Sequence, residues 1–285
     1  MNGRRVDRGV VLVTILVVMA LCVAVIVAMT LRSEQATRLT GLDRDASQAQ
    51  ALIAAGEQSA LSALAQDLRD APDADGPGEP WGLVTQQEAT TSLGHFQLAL
   101  TDQAARFNLN AITNGSPISR TALASIVASA GLAPEVATRI AAALAGGRPL
   151  LELGDLIARA GLTTAEIAAL QPFMTCDPDP TRPVNINTAP APVLAALLHN
   201  DTYLAQIVSQ RKSGLITPDT LKGMAIILPA GLALRSDYFS VHIAAQVGGA
   251  TVSVDALVHR WRDANDLIHA VIAARRISDS GLPSI

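Results

Sequence analysis

The residues that most suggest a chemical reaction lie near the N-terminus, where three arginines and a glycine precede an uncharged run: Arg4, Arg5, Arg8 and Gly9. Residues 10–31 carry no charge. A helix of this length spans roughly 33 Å, about the hydrocarbon thickness of a bilayer. The peptide bond after a glycine at such a boundary is a candidate cleavage point. Three interpretations are open: a plain membrane anchor, a discarded secretory signal, or a chain that is cut after Gly9 and keeps its apolar helix.

The length and the flanks of the apolar run narrow these interpretations. A discarded secretory signal has an apolar core of about 7–15 residues followed by a small-x-small site, and this run is longer. The arginines precede the run, so the positive-inside rule places the N-terminus in the cytoplasm and the bulk of the chain across the membrane. We therefore expect a single-pass membrane protein.

The remaining sequence gives little indication of catalysis. It has no G-x-S-x-G, H-E-x-x-H or Walker motif, and its five histidines are scattered singly. A formal net charge of −4 argues against general affinity for nucleic acid, which needs a basic surface. Cys22 and Cys176 lie far apart, in the apolar run and in a loop, so no internal disulfide is expected. We predict that the protein is not an enzyme.

Apolar residues continue beyond the membrane run at spacings of three and four residues as far as Leu68. This spacing predicts one helix over 10–69 that is half embedded in the membrane and half packed on a soluble part. Proline and glycine end it in 70–80. Small residues allow close approach of helices, and on the soluble half they predict contact with a partner helix: Ala46, Ala49, Gly56 and Ala60.

Strand patterns flank a long helical block. Alternating apolar residues predict strands at 95–100 and 106–112, and a hairpin of 238–247 and 250–261 on the turn Gly248-Gly249. Residues 267–276 fit a strand or a short helix, and we favour the strand. The helical block covers 116–175 and 184–228, with 176–183 as a linker and Thr188 as a helix N-cap. The order predicts an α+β fold with one sheet interrupted by an insertion, two unrelated small sheets being the weaker alternative.

Several blocks resemble a known family. Arg8-Gly9 before the apolar run is similar to the class III leader of type IV pilins and type II secretion pseudopilins. Three further blocks resemble, in order, those of the minor pseudopilin K family: "TDQAARFNLNAI" (101–112), "PVNINTAPAPVLAALL" (183–198) and "SDYFSVHIAAQVG" (236–248). The resemblance implies a pseudopilin fold, with the long membrane helix packed on a small antiparallel sheet and a large α-helical domain inserted between strands.

The resemblance divides the chain into five parts. Residues 1–9 are the leader, 10–69 the helix with 10–31 in the membrane, 70–115 and 231–285 the two parts of the β domain, and 116–230 the inserted domain. It implies that prepilin peptidase cuts between Gly9 and Val10 and that Val10 is N-methylated. Thr14 stands where most pseudopilins carry glutamate, a departure that goes with a place at the tip of the filament.

The family resemblance also implies partners and a location. These are the minor pseudopilins I and J, with H as a link, and the inner-membrane assembly platform. The helix would anchor the protein in the inner membrane of a Gram-negative bacterium, with the C-terminal domain in the periplasm. At the tip, the complex would initiate and cap the pseudopilus that drives secretion across the outer membrane.

Calcium binding does not carry over from the resemblance. Relatives have an acidic stretch in the helical domain, whereas residues 144–161 contain only Glu152 and Asp155. Calcium takes six to eight oxygen ligands. Calcium therefore stays possible only by family resemblance, and we predict no cofactor.

A competing interpretation is a membrane-anchored DNA-binding protein of competence type. Residues 184–214 resemble a helix-hairpin-helix, and 123–156 resemble a looser second copy, so the inserted domain is expected to contain helix-hairpin-helix-like repeats. The turn 199–203 lacks the glycine that lets backbone N–H groups reach a phosphate, and it carries Asp201. Arg211 and Lys212 could touch a phosphate, but two charges on an acidic protein give little affinity. Asn185 and Asn187 are predicted to bond local backbone rather than a ligand.

Overall fold

One helix dominates the N-terminal part of the chain. The computed structural model describes residues 3–84 and 87–278, with the side chains of 12–84 and 89–277. Helix α1 runs without a break from Gly3–Asp70, which confirms the predicted long helix. Among the described residues it is the one helix long and apolar enough to cross a membrane. Its most apolar window has a mean hydropathy of 3.1 and is 0% buried within the chain.

A short helix and two strands follow α1. They are α2 (Pro80–Val84), β1 (Gln87–Thr90) and β2 (His95–Asp102), and β1 and β2 pair antiparallel. Alternation along β2 buries Leu98 and Leu100 against α1, as the sequence pattern predicts.

The inserted segment then leaves the sheet and forms two units, each closed by a two-residue parallel pairing. The first contains β3 (Phe107–Asn108), α3 (Pro117–Ser129), α4 (Pro134–Leu144), α5 (Asp155–Ala160), α6 (Thr164–Leu170) and β4 (Met174–Thr175). The second contains β5 (Val184–Asn185), α7 (Ala191–Leu198), α8 (Asp201–Ser213), α9 (Pro218–Gly223) and β6 (Leu232–Ala233).

The chain re-enters the sheet beside the strand that it left. The last strands are β7 (Tyr238–Val247), β8 (Ala250–Arg262) and β9 (Ile268–Ser278). The sheet order is β1-β2-β7-β8-β9, all neighbours being antiparallel, and Asp102 pairs with Phe239. One sheet is therefore interrupted by the insertion, as predicted, and residues 268–278 are a strand.

Two separate hydrophobic cores correspond to this division. One lies between α1 and the sheet, with Ile53, Leu64 and Phe239 among its fully buried members. The other lies inside the inserted segment. Phe107, Leu109 and Ile112, which the sequence assigned to the β domain, belong to this second core, so the insertion begins earlier than residue 116.

Two local predictions are wrong. Only Phe107–Asn108 of the predicted strand 106–112 is paired as a strand, because the Asn108 side chain caps a 3-10 helix over Leu109–Asn114. Thr188 does not cap a helix, since α7 starts after Pro190 without a side-chain cap. The Thr188 hydroxyl instead donates to Asp102 Oδ2 at the base of the insertion.

Candidate partner-binding helix and domain junction

The small residues of α1 are packed mostly against the protein's own sheet. Ala49 and Ala60 are fully buried there, and Gly56 is buried as well. A Cβ atom on Gly56 would lie 2.7 Å from the Phe96 ring and 3.2 Å from Ile243. The prediction that these three residues contact a partner helix is therefore corrected: they set the distance between α1 and the sheet.

The opposite face of α1 is exposed and carries no charge between Ser47 and Gln66. Its residues are small or polar: Ser47, Gln50, Ala51, Ala54, Ala55, Gln58, Ser59, Ser62 and Gln66. The charged residue within this stretch, Glu57, is turned toward the sheet, where its Oε1 accepts from Arg275 Nε at 2.6 Å. Half-buried Ala46 lies near the start of this region. Sequence reasoning missed this face because both faces of α1 are rich in alanine.

The leader residues lie at the start of α1. Gly9 and Val10 are in its helical backbone, and their side chains lie outside those that the structure describes. Residues 1–2 of the predicted leader lie outside the residues that the structure describes. Thr14 is in the apolar stretch, with its side chain on the outside of the chain. Cleavage after Gly9, methylation of Val10 and the tip role of Thr14 stay predictions.

Arg260 on β8 is fully buried where α1, β7 and the loop after α1 meet. Its Nη1 donates to Leu64 O and to Asp67 Oδ2 at 2.7 Å, its Nη2 to Asp75 Oδ1, and its Nε to Ser236 O. The guanidinium carbon lies 4.6 Å from the centroid of the Phe239 ring. A buried guanidinium with this set of partners ties the end of α1 to the sheet.

A third carboxylate, Glu79, faces the same cluster. Atoms of Asp67, Asp75 and Glu79 lie within 4.8 Å of one another. The pKa of Glu79 is raised to about 7, first by burial and then by the carboxylates of Asp67 and Asp75, while the N–H donors of Gly76 and Trp81 act to lower it. The Arg260 guanidinium forms ion pairs with Asp67 and Asp75 of this cluster.

The residues where the family's acidic stretch would lie do not fit calcium. Asp155 Oδ2 accepts the backbone N–H groups of Leu151 at 2.9 Å and Glu152 at 3.3 Å. These bonds lower the pKa of Asp155 and hold its carboxylate in a local turn. With Glu152 as the other acidic residue in 144–161, the set falls well short of six to eight oxygens.

Asp102, the last residue of β2, accepts several hydrogen bonds at the base of the insertion. Its Oδ1 accepts from Ala104 N at 2.7 Å. Its Oδ2 accepts from the hydroxyls of Thr188 and Ser236, the latter at 2.7 Å, and from Asn185 Nδ2 at 3.1 Å. These donors come from the start of the second unit and from the segment that returns to β7, so one buried carboxylate joins both ends of the insertion to the sheet.

The two Asn-x-Asn segments make matching contacts in the two inserted units. Asn108 Oδ1 accepts from Asn110 N at 3.0 Å, and Asn185 Oδ1 from Asn187 N at 2.9 Å. Asn110 then bonds both backbone groups of Leu150, as Asn187 bonds both backbone groups of Ile216. Asn185 and Asn187 were predicted to bond local backbone, but their partners lie up to 110 residues away along the chain. The recurrence of N-x-N, at "NLN" and "NIN", is the sequence signal that could have revealed this.

Of the two basic residues in the competing DNA-binding interpretation, Lys212 on α8 is exposed, whereas Arg211 is engaged within the chain. Arg211 is half-buried, and its Nη1 donates to Ala189 O at 2.6 Å. At the turn, His199 adopts a left-handed conformation, and Asn200 caps α8 by accepting from Tyr203 N. The turn is thus built for packing of α7 on α8.

In the comparison with known proteins, the family match falls on one part of the chain. The family described as Type II secretion system (T2SS), protein K matches residues 184–242, from the second unit into β7. Type II secretion system protein K of Pseudomonas aeruginosa is 24% identical over 98% of this chain and 96% of its own length. The protein of the same name from Klebsiella pneumoniae is 26% identical over 72% of this chain and 74% of its own. The predicted resemblance to the protein K family is confirmed.

A solved structure shares the fold. A chain of the GspK-GspI-GspJ complex from the type 2 secretion system of enterotoxigenic Escherichia coli superposes with a TM-score of 0.64 and 19% identity. The match covers 85% of this chain and 99% of that one. That chain therefore shares with this one a mixed fold of a long helix, a sheet and a helical segment.

Proposed function

We propose that the protein is a minor pseudopilin of a type II secretion system that assembles with minor pseudopilins I and J at the tip of the pseudopilus. The observation that carries the proposal is the exposed, charge-free face of α1 from Ser47 to Gln66, which a charged segment at 32–45 separates from the apolar stretch. A solvated helix face normally carries charged residues. Small uncharged residues instead suit close packing against other helices.

The relatives support the choice of partners. Two of them are named protein K, and the fold occurs in a complex with GspI and GspJ. In the proposed arrangement, α1 is anchored in the inner membrane, the C-terminal part lies in the periplasm, and H links the complex to the filament. The inserted segment stands on the sheet and blocks addition of a further subunit, so the role is assembly and capping rather than catalysis.

The maturation steps belong to the same proposal. Prepilin peptidase would cut between Gly9 and Val10 and methylate Val10, and the inner-membrane platform would then extract the mature chain. Thr14 lacks the carboxylate that would receive the amine of a neighbouring subunit, which suits a subunit at the end of a filament. A carboxylate in hydrocarbon is costly unless it is paired.

The proposal is tested by placing a charge on the exposed face of α1. The variant Ala55→Arg is co-expressed with the I and J pseudopilins of the same secretion system, and the complex is recovered from detergent through a tag on this chain. We expect at least a tenfold loss of I and J, because a guanidinium in a tight helix contact is left unpaired and desolvated.

The matched control is Ala124→Arg, which adds the same charge at an exposed position of α3. It should leave recovery of I and J unchanged. Equal recovery with Ala55→Arg, in a variant that keeps the melting temperature of the parent, would refute α1 as the partner-binding helix.

A further inference from the structure

A polar cavity of about 490 Å³ lies where the first inserted unit faces the end of β9. Two arginines line it, Arg106 before β3 and Arg276 on β9, together with Gln103 and Thr175. This cavity is separate from the exposed face of α1 and from the Arg260 cluster. No part of the proposed function uses it.

Arg106 is half-buried without a matching carboxylate. Its Nη2 donates to Gln103 Oε1 at 3.0 Å, a carbonyl that also accepts from Thr175 Oγ1 at 3.4 Å. Its buried Nε has no hydrogen-bond partner among the described residues, and Arg106 forms no ion pair with any of them. An unmatched donor on a desolvated guanidinium is costly unless an acceptor completes it.

Arg276 supplies a second guanidinium whose N–H donors can bind a further acceptor. Its side chain is 76% exposed, and its Nη2 lies 3.9 Å from Asp255 Oδ2, longer than a hydrogen bond. The carboxylate on the same cavity wall, Glu152, forms no ion pair with either arginine in the described part of the chain. Burial lowers the pKa of Arg106, while the Asp102 carboxylate raises it, so an incoming anion would relieve the cost of its burial.

The cavity rim is apolar as well as basic. Leu151 lines the cavity with 85% of its surface exposed, and half-buried Ile167 contributes further apolar area. Free phosphate would satisfy the arginines but would leave Leu151 in water. An acidic side chain followed by an apolar one would satisfy both.

We propose that this cavity binds a carboxylate on a polypeptide segment of another protein, with Arg106 and Arg276 holding the carboxylate and Leu151 contacting an adjacent apolar side chain. The guanidinium fork matches the two oxygens of a carboxylate. The ligand class is thus an acidic-apolar peptide segment, and the site extends the interaction surface of the protein from α1 to the inserted domain.

The test uses the full-length protein in detergent micelles and a fluorescein-labelled short peptide of alternating leucine and glutamate. Fluorescence anisotropy should show saturable binding that weakens with added salt. The same peptide with glutamine in place of glutamate should bind at least about tenfold more weakly, since charge-assisted hydrogen bonds are roughly twice as strong as neutral ones.

Variants locate the binding. Arg106→Gln and Arg276→Gln should each weaken the glutamate peptide by about tenfold or more, whereas Arg120→Gln, at an exposed position of α3, should leave binding unchanged. Arg276 is exposed, so its variant keeps the test decisive if Arg106→Gln misfolds. The proposal is overturned by equal binding of the two peptides, by wild-type binding in Arg276→Gln, by absence of binding, or by a site that phosphate fills and the peptide cannot compete for.

Discussion

Gly56 shows how one residue sets the approach of α1 to the sheet. Even the Cβ atom of an alanine would lie 2.7 Å from the Phe96 ring and 3.2 Å from Ile243. Gly56→Val should lower the free energy of unfolding by about 1–3 kcal/mol, the usual cost of overpacking. Thermal unfolding of the full chain, followed by circular dichroism, measures the change.

A second glycine in the same helix is the control for this substitution. Nothing lies within 4 Å of a Cβ atom placed on Gly41. Gly41→Ala should be neutral or stabilising by up to about 1 kcal/mol through helix propensity. If Gly56→Val is as stable as the parent, the close contact is not the reason for glycine at this position.

Glu79 should make stability depend on pH in an unusual direction. Its pKa is about 7 in the folded protein against an ordinary value of 4.5, first because of burial. The folded state therefore binds more protons than the unfolded state between these values. The contribution of Glu79 to stability is fully present below about pH 4.5 and is lost as the pH rises through about 7.

The measurement is the melting temperature of the parent and of Glu79→Gln across this range. The parent should lose stability relative to the variant as the pH rises, because the glutamine side chain does not ionise. Glu135→Gln, at an exposed position of α4, should give a difference that does not change in this way. A pH-independent difference for Glu79→Gln would contradict the assigned burial effect.

At the scale of elements, Asp102 holds both ends of the insertion on the sheet. Asp102→Ala would leave the hydroxyl donors of Thr188 and Ser236 without this acceptor, while Asn185 Nδ2 would keep its bond to Asp75 O. Each buried donor left unsatisfied costs about 1–3 kcal/mol. We expect faster amide hydrogen exchange in 184–189 and 103–106 than in the centre of the sheet. Asp219→Ala, which removes an exposed carboxylate on α9, should leave the exchange pattern unchanged.

The elements themselves were largely predictable from the sequence, because hydrophobic spacing reports directly on them. The break at proline and glycine after Asp70, the alternation in β2 and the Gly248-Gly249 turn are all local signals. Asn108 was misread because its side chain competes with the strand by capping the next turn. Which face of α1 meets the sheet was not predictable, since alanine on both faces gives no contrast in hydrophobicity.

The polar parts of the candidate sites were the least predictable. Arg260 and Asp67 lie 193 residues apart along the chain, and Asn185 and Asp102 lie 83 apart. Spacing patterns carry no information about such distant partners. Arg106 and Arg276 likewise come together only because the insertion folds back beside the end of β9.

At the scale of the whole molecule, the proposed cleavage after Gly9 would convert a fixed membrane anchor into a filament subunit. Gly9→Val should abolish cleavage in cells that contain prepilin peptidase, so that the protein keeps the mass of residues 1–285. Intact mass spectrometry distinguishes this form from a chain that begins at Val10. Gly3→Val, earlier in the leader, should be processed normally. Normal processing of Gly9→Val would exclude the assigned cleavage site.

The adjacency of Asp102 and Ser236 makes the insertion an exchangeable unit. Its entry and exit are a single hydrogen bond of 2.7 Å apart, and the strands on either side are already paired in register. A short turn in place of the segment between β2 and β7 would give an ordinary hairpin and leave the core between α1 and the sheet intact. Evolution could thus have acquired, enlarged or trimmed this domain in one step, without redesigning the scaffold that carries it.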